Sequence, residues 1–218
     1  MEDSAAHVAY LDRYYGRQRC IYDLSRRFFL PGRDRLLRAL DVRSGHHVLE
    51  MGCGTARNLL KLARMQPDAR LFGIDASAEM LRTAAHQVKS AGLHDRVSLR
   101  CCLAEMADPG RTFGLDRGFD RVFFSYSFSM MPDWRGVLQA ALRCLAPGGK
   151  LAIVDFWDLA GYPRPVARWV NRRLHNHRVH FEPALLARLH EQAGQGGYSL
   201  KLRSVARRWA YIAELTTS

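Results

Sequence analysis

The sequence predicts an α/β fold: a doubly wound, mostly parallel seven-stranded sheet with helices on both faces and an N-terminal helical lid. Short runs rich in Val, Leu, Ile and Phe alternate with helical patterns over residues 46–157, as in parallel sheets covered on both faces. The first run ends in a glycine-rich turn. The last two runs, at 198–205 and 209–215, are so close in sequence that they predict an antiparallel closing pair.

The length of 218 residues suits one such domain. We expect a single unit over residues 1–218, with N-terminal helices at 1–41, a cofactor-binding core at 46–157, and basic helices with the closing strand pair at 158–218. Hydrophobic residues make up 48% of the chain and charged residues 25%, which excludes a disordered or low-complexity protein. No apolar run approaches the ~18–20 residues of a membrane-spanning helix, and the first twenty residues resemble no secretion signal, so we expect a cytoplasmic protein.

The individual elements follow from local signals. Helical spacing over residues 4–30 is interrupted at Pro31-Gly32, after which a short helix is expected. Ser77 is a typical N-cap, with an acidic residue in the first turn that follows it. In chain order, we predict a helix at 33–40, strand 47–51, helix 56–65, strand 71–75, helix 77–91, strand 97–102, strand 119–125, helix 133–145, strand 150–156 and helix 183–192.

The turn after the first strand combines glycines with two acids. Glu50 precedes Gly52 and Gly54, and Asp75 ends the second strand. Ligands of open α/β sheets bind beyond the carboxyl ends of the strands, where glycines permit close approach and an acid binds ribose hydroxyls. A dinucleotide site requires a third glycine, where this chain has Arg57. S-adenosylmethionine carries a ribose and a cationic amino group but no phosphate, so it suits the two acids better.

These segments resemble the class I S-adenosylmethionine-dependent methyltransferases, whose fold is Rossmann-like. The similarity lies in VLEMGCGTARN at 48–58, FGIDASAEML at 72–81, LAE at 103–105 and LAPGGKLAIVDF at 145–156. The resemblance implies that Glu50 meets the amino group of the cofactor, that the two glycines pass beneath it, and that Asp75 binds the ribose. It further implies that three residues lie around the adenine: Ala76, Met80 and Ala104.

Two further segments resemble the bacterial diacylglyceryl-homoserine N-methyltransferases of betaine-lipid synthesis, and more distantly the bacterial phosphatidylethanolamine N-methyltransferases. They are YYGRQRCIYDLSRRFFLPGRDR at 14–35 and FSYSFSMMPDW at 124–134. The resemblance implies successive transfer of three methyl groups to one lipid amine. A phosphatidylethanolamine acceptor and, with less support, an RNA acceptor are the alternatives.

Methyl transfer to an amine requires alignment and a dry pocket more than a strong base. We expect Tyr22 and Tyr126 to act at the reaction centre, and Asp155 to orient the amine. The rings of tyrosines suit a growing ammonium charge. The remaining expected cofactor contacts are Tyr14, Arg33 and Ser125. Burial of an amphipathic helix face is the alternative explanation for Tyr14 and Tyr22, and a solvated loop acid is the alternative for Asp155.

The distribution of charge along the chain indicates what kind of partner the protein would bind. The chain holds 33 Lys and Arg against 21 Asp and Glu, and ten basic against three acidic residues lie in 159–218. Residues 161–181 hold five arginines and no acid. The spacing of Val166, Trp169, Val170 and Leu174 predicts an apolar stripe beside these arginines, typical of a helix on an anionic membrane surface. Packing of the stripe on the domain core is the alternative.

We therefore expect a lipid substrate and a peripheral position at the inner face of the cell membrane. No nucleic-acid partner is expected, because Ser125-Tyr126-Ser127 replaces the Asn/Asp-Pro-Pro-aromatic motif of base N-methylation and no Pro-Cys pair is present. Arg26, Arg173 and Arg178 are candidates for binding an acceptor carboxylate. No metal site is expected, since His175, His177 and His180 have no acid or cysteine nearby in sequence, and the five cysteines suggest reduced thiols.

Overall fold

The computed structural model describes residues 30–175, 179 and 181–217. It confirms the predicted α/β fold, with a seven-stranded sheet in the order β3-β2-β1-β4-β5-β7-β6. Strands β1 to β5 pair in parallel, and β7 runs antiparallel to both β5 and β6. The strands are β1 His47–Met51, β2 Arg70–Asp75, β3 Val97–Cys101, β4 Phe119–Ser125, β5 Leu145–Phe156, β6 Tyr198–Val205 and β7 Ala210–Thr217.

Helices cover both faces of the sheet. They are α1 Arg33–Ala39, α2 Arg57–Met65, α3 Ala78–Ser90, α4 Pro109–Phe113, α5 Trp134–Arg143, α6 Arg164–His175 and α7 Pro183–Gly194. The apolar residues of α1, α2 and α3 pack on one face of the sheet, and those of α5 and α7 pack on the other. Successive strand residues such as Phe123 and Phe124 enter opposite clusters, which explains why the strands are apolar throughout.

Most predicted boundaries agree with the structure to within two residues. Ser77 caps α3 as expected, because its hydroxyl accepts a hydrogen bond from the Met80 N–H at 3.3 Å. Strand β5 begins five residues earlier than predicted: Leu145 pairs with Phe119, and regular pairing resumes at Lys150 after a register shift. Helix α4 and the 3-10 turns Ala104–Met106 and Phe128–Met130 were not predicted, since such short elements show no periodicity.

The chain reverses its direction of winding at β1. From β1 the sheet continues through β2 and β3 on one side and through β4 and β5 on the other. The loops after β1 and β4 therefore diverge and leave a crevice at the carboxyl ends of these strands. The predicted N-terminal lid, with its helices over residues 4–30, lies outside the described residues apart from Leu30.

Arg121 of β4 joins the end of α1 to the sheet. Its side chain is 8% exposed, and its guanidinium donates to three backbone carbonyls, those of Leu40 at 2.5 Å, Asp120 at 2.7 Å and Asp41 at 3.0 Å. The fork of donors on arginine makes this possible at one site. The loop that leads from α1 into β1 is thereby held against β4.

We expect Arg121→Met to destabilise the protein by about 2–3 kcal/mol, because the buried carbonyls lose charged donors while the new side chain still fills the space. Thermal unfolding measures the change, with Arg43→Met as the matched control. Arg43 lies in the same loop but is exposed, so its substitution should change the melting temperature by no more than a degree or two. Equal melting temperatures for the two variants would contradict this role of Arg121.

Candidate cofactor and acceptor site

The turn between β1 and α2 contains three left-handed residues. Gly52, Gly54 and Ala56 have φ angles of 75°, 53° and 62°. A Cβ on Gly52 would lie 2.5 Å from the Ser127 Cβ, whereas a Cβ on Gly54 would meet no atom of the described residues within 4 Å. Gly52 is therefore required by the close approach of the β4 loop. Gly54 leaves open the side from which a ligand would approach.

Asp75 fixes this turn from the end of the neighbouring strand. Its Oδ2 accepts a hydrogen bond from the Gly54 N–H at 2.8 Å, and its Oδ1 accepts one from the Ser77 N–H at 2.9 Å. A carboxylate accepts up to about four hydrogen bonds, so these backbone contacts are compatible with ribose binding. The two residues predicted to lie together in the cofactor site, Asp75 and Gly54, are in direct contact.

Glu50 is a buried carboxyl group with one unsatisfied oxygen. It is 1% exposed, and its Oε1 accepts a hydrogen bond from the Asn58 Nδ2 at 2.6 Å. Its Oε2 has no hydrogen-bond partner among the described residues. Burial raises the pKa of Glu50 to about 8, although the nearby charge of Arg33 lowers it. An orphaned acid beside a glycine turn fits the cationic amino group of S-adenosylmethionine.

The residues expected around adenine follow neighbouring strand ends. Asp75 pairs with Cys101 in the sheet, so the segments that follow β2 and β3 emerge side by side. Met80 is 5% exposed in the first turn of α3, and Ala104 is 7% exposed in the 3-10 turn after β3. Ala76 lies between β2 and the cap of α3. Their contact with adenine stays a prediction.

Tyr126 and Asp155 have well-defined structural contacts. The Tyr126 hydroxyl donates to the Pro31 carbonyl at 2.5 Å, and its ring packs edge-on against Phe156 with centroids 4.8 Å apart. Burial also raises the pKa of the Tyr126 hydroxyl. These contacts fasten the segment before α1 to the end of β4. They assign Tyr126 a structural role, and its expected part in catalysis stays a prediction.

Asp155 stabilises the turn that follows β4. Its Oδ2 accepts from the Ser129 N–H at 2.9 Å and its Oδ1 accepts from the Phe156 N–H at 2.8 Å. Burial raises its pKa to about 6. The alternative of a solvated loop acid is wrong, because Asp155 is 1% exposed. Its expected role in orienting an amine stays a prediction.

The structure gives the surroundings of some of the other expected site residues and not of others. Arg33, in the first turn of α1, lies near Glu50 and Tyr126, since its charge lowers the pKa of both groups. The Ser125 Oγ is buried at the end of β4, with no hydrogen-bond partner among the described residues. Tyr14 and Tyr22 lie outside the described residues.

The structure also reveals an apolar cavity of about 390 Å³ beside the carboxyl ends of β4 and β5. Its walls combine the β4–α5 loop, the end of β5 and the start of α7. The lining residues are Phe128, Ser129, Met130, Met131, Pro132, Trp134, Phe156, Phe181, Glu182 and Leu185. Sequence reasoning selected segment 124–134 but missed Phe181, Glu182 and Leu185, because no local pattern shows that α7 returns to β5.

We call this cavity the acceptor cavity. Met131 connects it to the glycine turn. Its Cε lies 3.3 Å from the position that a Cβ on Gly52 would occupy. The cavity wall and the turn that follows β1 therefore adjoin through one flexible side chain. A molecule in the acceptor cavity would lie next to a cofactor held at the turn, as transfer between two bound molecules requires.

Comparison with known proteins agrees with this geometry. Residues 48–149 match a family described as a methyltransferase domain. The chain is 38% identical over 122 residues to the methyltransferase GfsG of Streptomyces halstedii, covering 56% of this chain and 42% of that protein. It is 29% identical over 133 residues to a demethylmenaquinone methyltransferase of Listeria welshimeri, covering 61% and 54%. The chain thus spans about half the length of the curated relatives it matches.

A solved structure extends the likeness of fold over most of the chain. The S-adenosylmethionine-dependent methyltransferase of Aquifex aeolicus superposes with a TM-score of 0.64 at 19% identity, covering 88% of this chain and 93% of that one. The fold agrees with the resemblance found in the sequence. Residues 48–149 are therefore similar to a methyltransferase domain, and the chain has the fold of this solved methyltransferase structure.

Proposed function

We propose that this protein transfers methyl groups from S-adenosylmethionine to the amine of diacylglyceryl-homoserine, three times in succession, to give the trimethylated betaine lipid. The observation that carries the proposal is the chemistry of the acceptor cavity. Among the described residues that line it, there is no histidine, lysine or cysteine. Such a cavity suits an acceptor that reacts through its own lone pair, and a neutral amine is the simplest case.

The proposal assigns the cofactor to the glycine turn. The bound cofactor supplies an electrophilic methyl group on a sulfonium. Glu50 would bind its amino group through the orphaned Oε2, and Asp75 would accept hydrogen bonds from the ribose hydroxyls while it holds Gly54 in place. Arg33, close to Glu50, is positioned to meet the carboxylate of the same amino-acid moiety.

The acceptor cavity would keep the amine neutral and then tolerate its positive product. Its apolar walls disfavour an ammonium ion before transfer, so the lone pair stays available. The rings of Trp134, Phe156 and Phe181 can stabilise the quaternary ammonium through their faces, and the carboxylate of Glu182 adds opposite charge. The volume is in the range of small-molecule sites, so it suits a lipid head group while the acyl chains stay outside.

A second candidate acceptor is a quinol or another apolar ring. The cavity lining is apolar and aromatic, and one relative is named for demethylmenaquinone. Methylation of a ring carbon or a hydroxyl requires a base during the transfer itself, and the described lining offers only Glu182 for that task. The ammonium formed by the first or second transfer to an amine instead releases its proton to Glu182 or to water before the next transfer. Phosphatidylethanolamine is the other amine acceptor, and it differs from homoserine lipid in its phosphate linkage and in lacking the head-group carboxylate.

We expect methyl label from S-adenosylmethionine to appear on diacylglyceryl-homoserine in mixed micelles, as mono-, di- and trimethylated products in turn. The same assay should offer phosphatidylethanolamine, demethylmenaquinone and tRNA separately. Mass spectrometry identifies the products and their order of appearance. Label on the quinone or on tRNA, with none on either lipid amine, would overturn the proposal.

The raised pKa of Glu50 predicts pH-dependent cofactor binding. Only the ionised carboxylate pairs with the amino group, so affinity for S-adenosylmethionine should rise from pH 6 to pH 8 as Glu50 loses its proton near pH 8. Glu50→Gln should weaken binding by about tenfold or more and remove this pH dependence. Titration calorimetry measures both, with the exposed Glu191→Gln as control.

The same variant separates binding from folding. A carboxyl group whose pKa is raised in the folded state destabilises that state as pH rises from its unfolded value of 4.5 towards 8. Glu50→Gln should therefore melt at a higher temperature than the parent at pH 9 in the absence of cofactor. A variant that binds S-adenosylmethionine with parental affinity and pH dependence would exclude Glu50 from the site.

We expect Met131→Phe to lower kcat/KM for the lipid by about tenfold, because the rigid ring intrudes where the acceptor cavity meets the Gly52 turn. The exposed Met65→Phe is the matched control. Both variants should bind S-adenosylmethionine within twofold of the parent. Parental turnover in the folded Met131 variant would show that the acceptor does not use this cavity.

A further inference from the structure

Helix α6 presents apolar residues on two different surfaces. Val170 is 3% exposed and Leu174 packs against the core, so the helix is anchored through these residues. Val166 and Trp169 are 42% and 56% exposed. The single apolar stripe expected from sequence is therefore divided: one half packs on the domain and the other faces solvent.

The exposed half of α6 is strongly basic. Arg164, Arg168, Arg172 and Arg173 are all exposed, and residues 159–175 contain no Asp or Glu. No carboxylate within the described ranges forms an ion pair with these four arginines. Arg172 and Arg173 follow Trp169 by three and four residues, which places them on its side of the helix. We call Val166, Trp169, Arg172 and Arg173 the α6 face.

We infer that the α6 face binds the surface of an anionic lipid bilayer. The inference deepens the proposed function and rests on it, since the acyl chains of the acceptor would remain in the membrane while its head group enters the acceptor cavity. Trp169 and Val166 would insert among the head groups, and the arginines would pair with lipid phosphates. None of the helices in the described ranges has the length and apolar character needed to cross a bilayer.

A nucleic acid would also attract arginines, but the apolar content of the α6 face favours lipid. Val166 has no polar group for phosphate or sugar, and its exposure next to Trp169 is costly in water unless an apolar phase covers it. Phosphate binding alone would require neither residue. Binding of RNA in place of vesicles is therefore an outcome that overturns the inference.

The test is co-sedimentation of the full chain with vesicles of phosphatidylcholine alone or with 30 mol% phosphatidylglycerol. We expect binding to the anionic vesicles, little binding to the neutral ones, and loss of binding at high salt. Arg172→Gln/Arg173→Gln should lower the partition coefficient on anionic vesicles by about tenfold or more. Trp169→Ser should lower it by at least about fivefold on the anionic vesicles.

The matched control is Arg111→Gln/Arg143→Gln. It removes the same charge from exposed residues of α4 and α5, and it should bind anionic vesicles within twofold of the parent. Circular dichroism confirms that each variant is folded. Equal vesicle binding by the parent and the α6 variants overturns the inference, as does tRNA binding that needs the α6 face while vesicles do not bind.

Methyl transfer measured in detergent micelles separates this inference from the proposed function. Trp169→Ser should retain parental activity there, because the acceptor is delivered without a bilayer surface. Vesicle binding that depends on the α6 face, with no methylation of any lipid amine, would support membrane binding by this face and defeat the proposed function. Methylation of a lipid amine in micelles, with no vesicle binding by the parent, would support the proposed function and defeat the inference of membrane binding.

Discussion

The site depends on the hydrogen bond between the Asp75 carboxylate and the Gly54 N–H. It joins the turn after β1 to the end of β2, across 21 residues of sequence. Three residues of the turn lie in the left-handed region, a conformation that costs energy for Ala56. Asp75 restrains Gly54 from outside the turn, beside the Ile74 carbonyl, which accepts hydrogen bonds from the Gly52 and Cys53 N–H groups. The same Asp75 carboxylate is the group expected to bind ribose. The Asp75 side chain thus both fixes the geometry of the turn and is expected to recognise the ligand.

Two buried carboxyl groups differ in how completely the protein satisfies their hydrogen-bonding capacity. Glu50 and Asp155 are each 1% exposed, yet the pKa of Glu50 is raised to about 8 and that of Asp155 to about 6. Backbone N–H donors to both oxygens stabilise the ionised form of Asp155. Glu50 has one amide donor and an orphaned oxygen. A buried acid left incompletely satisfied is what a cationic ligand would complete.

The sequence predicted the regular sheet and the cofactor turn well, because both depend on local signals. Alternating apolar runs mark the strands, and the glycines and acids of the turn lie at strand ends whose position follows from the parallel topology. The sequence indicated only some of the residues that line the acceptor cavity. Its walls bring Phe156 of β5 together with Phe181, which precedes α7, and Leu185 of α7. No short-range pattern in the sequence shows how α7 returns to the sheet. Tyr126 and Asp155 were selected as residues of the reaction centre, which stays a prediction, and loop geometry decides the backbone partners that the structure gives them.

Helix α6 shows why periodicity alone could not decide between membrane contact and core packing. The pattern places Val166, Trp169, Val170 and Leu174 within one broad arc, but a helix lying on a domain buries only the part of that arc that faces the sheet. Val170 and Leu174 provide enough contact to hold the helix. The remaining apolar surface is then left beside the arginines on the outer side. The two interpretations of the stripe are therefore compatible, since anchoring on the core is what gives the exposed half a fixed orientation towards a membrane.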